Sequence, residues 1–367
     1  MSEPFERRNT RQVRCGSVAI GGGAPISIQT MTKTDTRNPG ATVDQVNRAV
    51  DAGAEIVRVA VPDMEAAQAL AQIVKAARCP VVADIHFDYR LAIASIEAGA
   101  AKVRINPGNL GSADKLLAVA ASAKERGAAI RVGVNGGSVD KDLLEKYGGP
   151  TPKALVESAV RSLDLLSSKG CGDIVISLKS SSVRDTVEAY SLMARETDWP
   201  FHIGITEAGP GITGVVKSAA GISALLALGL GDTVRVSLTG DPVEEVQAAK
   251  EILQAAGARR FRVELISCPT CGRTQVDLIP IAKEIERRLL GLDVPIRIAV
   301  MGCPVNGPGE AREADAGVAC GRDGGILFSH GKVLGRVKQE EIVESLMRLV
   351  QEEADRFRRG SSVAHNR

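Results

Sequence analysis

Five segments of this chain share one grammar. A helix-like run ends at a glycine, and a short Val/Ile-rich stretch follows within a few residues. They read "DAGAEIVRVA", "EAGAAKVRIN", "ERGAAIRVGV", "SKGCGDIVIS" and "LGLGDTVRVS". Gly53, Gly99, Gly127, Gly170 and Gly231 suit the left-handed position that stops a helix. The stretches after them are apolar almost throughout, as in parallel strands covered by helices. Adding "PISIQTM", "CPVVADI" and "PFHIGIT" predicts eight strands, near residues 25–31, 55–60, 80–85, 101–106, 130–135, 173–178, 201–206 and 233–238. Amphipathic stretches such as "TPKALVESAVRSLDLL" and "PVEEVQAAKEIL" lie between them. Eight β–α units in about 250 residues is the size of a TIM (β/α)8 barrel. A doubly wound open sheet is the alternative.

A sixth copy, "QAAGARRFRVEL", leads out of the last barrel helix, and then the grammar changes. The pattern predicts a strand near 261–266, a helix near 276–291 and a strand near 295–300. "AGVACG", the hairpin-like "GGILFSHGKVLGRV" and a long terminal helix follow. The expected organisation is a barrel over residues 1–258 and a small α+β domain over 259–367, its tail "DRFRRGSSVAHNR" solvated and flexible.

Composition excludes several classes. A net charge of +2 argues against a nucleic-acid binder. The N-terminus "MSEPFERRNTRQ" lacks the apolar core of a secretory signal, and no apolar run approaches spanning length. The expected location is cytoplasmic, where seven cysteines do not make a disulfide framework.

"SCPTCGR" places Cys268 and Cys271 as C-x2-C directly after a strand, and Cys303 follows the next strand in "AVMGCPVNG". Loops leaving the same ends of neighbouring strands can bring three sulfurs together. Structural zinc usually takes four Cys/His ligands, and no histidine stands at a zinc-finger offset; His330 sits in the hairpin turn. A redox C-x-x-C leaves a third cysteine over. An iron–sulfur cluster with three thiolates and a different fourth ligand fits the pattern best. Glu310, just past the rigid Gly307-Pro308-Gly309 turn, is the candidate fourth ligand. A carboxylate is harder and more exchangeable on iron than a thiolate. Cys320 is an alternative fourth ligand but lies in an apolar strand-like stretch, and Cys15, Cys79 and Cys171 read as small core residues.

Four barrel strands carry an arginine between apolar neighbours: Arg58, Arg104, Arg131 and Arg235. Outward, such a charge would lie under helices at high cost. Inward and near the strand's end, it reaches the barrel mouth, where TIM-barrel active sites lie. Guanidinium forks there would receive a diphosphate. Asp84, His86, Asn106, Asn135, Lys179, Thr206 and Glu207 stand at the same strand ends, and Lys217 follows in the next segment. Some of these arginines could instead pair with carboxylates as a structural network.

"IVRVAVP", "ADIHFDYRLA", "KVRINPGN", "GVNGGS", "ISLKSS", "GITEAG", "GDTVRVSLTGDPVEEV", "CPTCGR" and "NGPGEAREAD" together resemble the 4-hydroxy-3-methylbut-2-enyl diphosphate synthase family, from about residue 10 to 350. The resemblance implies reductive ring opening of 2-C-methyl-D-erythritol 2,4-cyclodiphosphate in the methylerythritol phosphate route to isoprenoids. It implies a [4Fe–4S] cluster on Cys268, Cys271, Cys303 and Glu310, with Glu310 also serving catalysis. It implies diphosphate contacts from Arg58, His86, Arg104, Asn106, Arg131, Asn135 and Lys217. Ferredoxin or flavodoxin would supply electrons, and a head-to-tail homodimer would bring one copy's cluster domain to the other's barrel. The competing readings are a phosphate-binding TIM-barrel transferase with a structural zinc domain and a non-catalytic iron–sulfur carrier.

Overall fold

The computed structural model describes residues 6–106, 112–303 and 314–364. The chain divides into two compact units, one ending at Arg259 and the other beginning at Arg260.

The first unit opens with an antiparallel hairpin, β1 (Val13–Cys15) and β2 (Val18–Ile20). Eight parallel strands follow: β3 (Ser27–Met31), β4 (Ile56–Ala60), β5 (Val81–Asp84), β6 (Lys102–Ile105), β7 (Ala129–Asn135), β8 (Ile174–Lys179), β9 (His202–Ile203) and β10 (Thr233–Val234). Their order, β8-β7-β6-β5-β4-β3-β10-β9, closes through a parallel bridge between Ile176 and Phe201. This is the expected TIM barrel. Its helices are α1 (Pro39–Ala52), α2 (Met64–Ala76), α3 (Tyr89–Glu97), α4 (Ala113–Arg126), α5 (Lys141–Tyr147), α6 (Pro152–Ser168), α7 (Val183–Glu196), α8 (Gly211–Ala227) and α9 (Pro242–Ala255).

Local chemistry sets these boundaries. Asn38, Thr151 and Asp241 each accept a backbone N–H from the first turn of α1, α6 and α9, and each is followed by a proline. Gly53, Gly99, Gly127, Gly170 and Gly231 all have positive φ, from +65° at Gly127 to +126° at Gly231, as the repeat requires. Val46, Leu70, Ile73, Val119, Leu155 and Leu225 bury the apolar helix faces against the barrel, each contributing about 1.5–3 kcal/mol by leaving water. No helix among the described residues is long and apolar enough to cross a membrane.

The barrel's inward layers depart from the aliphatic filling usual for this fold. Gln29, Arg58, Lys102, Arg104, Arg131, Lys179, His202 and Arg235 are all buried. Laterally paired residues of parallel strands point to the same face. Asp84 pairs with Arg104, and Arg104 with Arg131, so three charged side chains stand in one row across β5, β6 and β7.

The second unit is a five-stranded sheet in the order β11 (Glu264–Ser267), β12 (Arg297–Met301), β13 (Ala316–Gly321), β14 (Gly324–Ser329), β15 (Lys332–Val337). The first three strands are parallel and the last two antiparallel. Helices α10 (Leu278–Leu289) and α11 (Ile342–Ala364) cover it. Ile285, Leu289, Ile298, Val300, Val318, Leu346 and Val350 form its core.

Candidate active site

Asp84 is the pivot of the barrel interior. Its Oδ1 accepts a hydrogen bond from Arg104 Nη1 at 3.2 Å, and its Oδ2 lies 3.8 Å from Arg58 Nε and 3.5 Å from His86 Nε2. Arg104 Nη1 also reaches His86 Nε2 at 3.0 Å. Burial works against the Asp84 charge, but Arg58, the His86 hydrogen bond, Arg104 and Arg131 outweigh it. They hold the carboxyl well below the usual range. Arg58 also points Nε and Nη2 at Met31 Sδ, 3.2 and 3.0 Å away.

One carboxylate does not neutralise this row. Arg131 is 1% exposed, and its Nε and Nη1 have no hydrogen-bond partner among the described residues. Burial, then Arg58 and Arg104, pushes its pKa well below the ordinary value. Burial likewise lowers Arg58 to about 10 against the pull of Asp84. Lys179 is pushed well down by burial and by Arg131, Arg235, Arg58 and Arg104. These groups depress one another because they share a small, poorly hydrated space. An anion entering that space would relieve all of them.

Room for the row comes from Gly133 on β7. A Cβ there would stand 2.7 Å from Arg104 Nε and 3.3 Å from Ser177 Oγ. The missing side chain leaves the space that the Arg104 guanidinium occupies beside the strand.

Arg235 behaves differently. Its Nε and Nη2 donate to Glu245 of α9 at 3.3 and 3.2 Å, and Glu245 also accepts from Thr30 Oγ1 at 2.8 Å and Lys33 Nζ at 2.9 Å. This arginine has a counter-ion of its own, and the structural-network alternative holds for it. Deeper in the barrel, Lys102 and His202 are fully buried; Lys102 faces the Cys15 thiol, and both His202 ring nitrogens lack hydrogen-bond partners among the described residues.

The site residues expected from the sequence divide accordingly. Arg58, His86, Arg104 and Arg131 gather around Asp84. Asn106 is buried just past β6 with Oδ1 unpartnered among the described residues, and Asn135 is half-buried at the end of β7. Lys217 is half-buried on α8 and has no hydrogen-bond or ion-pair partner among the described residues. Lys102, two residues before Arg104 and therefore on the same strand face, could have been found from that spacing.

In the second unit the cysteines stand where parallel strands end. Ser267 pairs with Val300, and the Cys268 N–H donates to the Val300 carbonyl at 3.2 Å. The Gln275 N–H donates to the Gly302 carbonyl at 2.9 Å, and the Thr274 N–H to the Cys271 carbonyl at 2.9 Å. These bonds tie the C-x2-C loop to the segment carrying Cys303. Thr270, inside the loop, takes a φ of +46°, a conformation rarely populated by a β-branched residue. Cys268 is half-buried, Cys271 exposed and Cys303 4% exposed. Glu310 lies outside the described residues. Among the described residues no three His, Cys, Asp or Glu side chains form a metal-holding group. The donor chemistry nonetheless fits an iron–sulfur cluster, with three soft ligands on two loops fixed to each other by backbone bonds.

Cys320 is fully buried in β13, and burial, with Cys268 nearby, pushes its thiol up to about 11. His330 is engaged with Glu353 Oε2 at 3.1 Å and Asp315 Oδ1 at 3.8 Å.

Comparison with known proteins returns a consistent set. Residues 10–250 match the GcpE TIM-barrel domain, and residues 264–352 match the GcpE protein C-terminal domain. A protein of Caldanaerobacter subterraneus subsp. tengcongensis is 53% identical over 94% of this chain and 97% of its own length. One of Clostridium perfringens is 52% identical over 95% of this chain and 99% of its own. One of Geobacter sulfurreducens is 53% identical over 93% and 97%. All three are named 4-hydroxy-3-methylbut-2-en-1-yl diphosphate synthase (flavodoxin).

Proposed function

The chain belongs to the GcpE family of 4-hydroxy-3-methylbut-2-enyl diphosphate synthases, and on that premise we propose how its residues carry the family's reaction. It is an oxidoreductase that opens 2-C-methyl-D-erythritol 2,4-cyclodiphosphate and dehydrates it to 4-hydroxy-3-methylbut-2-enyl diphosphate. Two electrons and two protons enter, the ring C–O bond to phosphate breaks, and one water leaves. The relatives support this reading over a zinc-bearing transferase.

The observation that carries the substrate reading is the under-neutralised cation row. Arg58, Arg104 and Arg131, with Lys179 beside them, have Asp84 as the carboxylate at the centre of their row, and one carboxylate is too little charge for four cations. A diphosphate supplies the missing negative charge and accepts the unpartnered Arg131 donors two at a time. Asn106 and Asn135, at the ends of β6 and β7, orient the ligand's hydroxyls, His86 caps the Arg104–Asp84 pair, and Lys217 closes on the phosphates from α8. The same cations stabilise the phosphate oxygen that departs when the ring opens.

Cys268, Cys271, Cys303 and Glu310 would hold a [4Fe–4S] cluster. When bound, it supplies the electrons and a Lewis-acidic iron. Glu310, the one carboxylate of the set, delivers a proton to the departing hydroxyl. The domain boundary falls near residue 258, the electron donor is a flavodoxin, and two chains arranged head to tail bring a cluster domain to each barrel. The enzyme works in the cytoplasm.

Anaerobically purified protein should be brown, hold about four iron and four sulfide per chain, and turn over the cyclodiphosphate with reduced methyl viologen. Glu310→Gln that keeps the cluster absorbance and loses turnover supports the proton role. Colourless protein rich in zinc would reject the whole reading.

A further inference from the structure

The face of the second unit around the β13–β14 turn has features the chemistry above leaves unused. Cys320, Arg322, Asp323, Gly325, Ile326 and Arg336 line a cleft of about 280 Å³. Arg322 and Arg336 are exposed, and neither has an ion-pair partner among the described residues. Exposed Arg37, Arg78, Arg90, Arg161 and Arg287, by contrast, each sit within 3 Å of a carboxylate. Asp323 is the one carboxylate in the cleft lining.

This cleft is joined to the cysteine loop by hydrogen bonds through Gln275. The Arg322 N–H donates to Gln275 Oε1 at 3.2 Å, and the Gln275 N–H donates to Gly302, next to Cys303. Exposed Arg273 lies two residues beyond Cys271 and also has no ion-pair partner among the described residues. The cleft's far wall is β15, the outermost strand of the sheet. It exposes Val333 by 72% and Leu334 by 56%, between Lys332 and Arg336, with Lys338 just beyond. Two exposed apolar side chains on the outermost strand, near cations that have no ion-pair partner among the described residues, are the makings of an interface with an acidic protein.

We propose that this face, Arg273, Arg322 and Arg336 around the cleft with Val333 and Leu334 on β15, is the docking surface for the electron donor, a small acidic flavoprotein of the flavodoxin class. The inference rests on the reading of the cysteine loops as the redox centre. Its occupant follows from the charge of the face, from its hydrogen-bonded link through Gln275 to the segment of Cys303 with Arg273 two residues from Cys271, and from the donor in the relatives' names. The cations steer the carrier and set its orientation, and the two apolar residues fix it once docked.

The test compares two reductants on one holoenzyme. In Arg322→Glu/Arg336→Glu, kcat/KM for reduced flavodoxin should fall at least about tenfold at low salt, with the gap closing as salt screens the wild-type attraction. Turnover with reduced methyl viologen should stay within about twofold of wild type. Affinity for oxidised flavodoxin, measured by isothermal titration, should fall in step with kcat/KM. The milder Lys332→Gln/Arg336→Gln, confined to the exposed strand, should show an intermediate loss. Unchanged flavodoxin affinity overturns the proposal, as does parallel loss with both reductants. A variant altered only in sedimentation overturns it too, assigning the face to a second copy of the chain. Wild-type turnover with viologen tests the catalytic reading separately.

Discussion

Replacing Arg131 by methionine should move stability and ligand response in opposite directions. Arg131 is 1% exposed, two of its nitrogens lack partners among the described residues, and Arg58 and Arg104 crowd it with like charge. A buried donor left unsatisfied costs about 1–3 kcal/mol, so two of them cost roughly 2–6 kcal/mol. Methionine keeps most of the length and removes both donors and the charge. Taking the lower bound, the ligand-free variant should gain about 2 kcal/mol. For a unit of this size each kcal/mol moves Tm by about 2–4 °C, which gives a rise of roughly 4–8 °C. Inorganic diphosphate at a hundred times its Kd should stabilise wild type by about 2.7 kcal/mol and the variant hardly at all. Differential scanning calorimetry with and without diphosphate reads both effects. A variant that melts lower than wild type, or that diphosphate stabilises equally, would refute the claim that this guanidinium is held for a ligand.

Gly133→Ala should raise the KM for the cyclodiphosphate, because its methyl would stand 2.7 Å from Arg104 Nε and push that guanidinium out of the row; Gly133→Ala kinetics indistinguishable from wild type would show the contact to be slack. Cys268→Ser and Cys303→Ser should each lose the brown colour and bound iron while the barrel's melting transition stays in place, as visible absorbance and calorimetry can show. Lys102, brought down to about 8 by burial against the pull of Cys15, has a folded pKa below its unfolded value near 10.4. Below pH 8 both states are charged and the burial penalty is complete. Between about pH 8 and 10 the unfolded chain binds more protons, so wild type should gain roughly 1–3 kcal/mol relative to Lys102→Met. Denaturant titrations of the pair at pH 7 and 10 that give the same difference would contradict this.

The barrel was legible because its strands are covered by helices and run apolar, and because each helix in the repeat stops at a glycine with positive φ. β9 and β10 are shorter than the pattern predicted, two residues each. Just beyond β9 the chains crowd together: a Cβ on Gly204 would lie 2.2 Å from the Arg235 carbonyl oxygen. The β1–β2 hairpin escaped notice because three-residue strands carry too little periodicity. Arg58, Arg104 and Arg131 could be seen as charges in apolar strands. That Asp84 joins them, and that Glu245 takes Arg235 away, depends on strand register and on packing of α9 across more than two hundred residues from Thr30. Sequence spacing carries no such information. The C-x2-C loop was visible as a motif, but its fastening to Gly302 was not.

That fastening bears on how the protein matures. Among the described residues, the sheet beneath Cys268 and Cys303 is held by its own ladder and by an aliphatic core. A zinc finger, by comparison, is unfolded until its ion arrives. On the proposed iron–sulfur reading, the polypeptide would fold first, with Cys271 exposed to receive iron and sulfide. Loss of the inorganic part to oxygen would then be a reversible injury, repaired on a scaffold that never came apart.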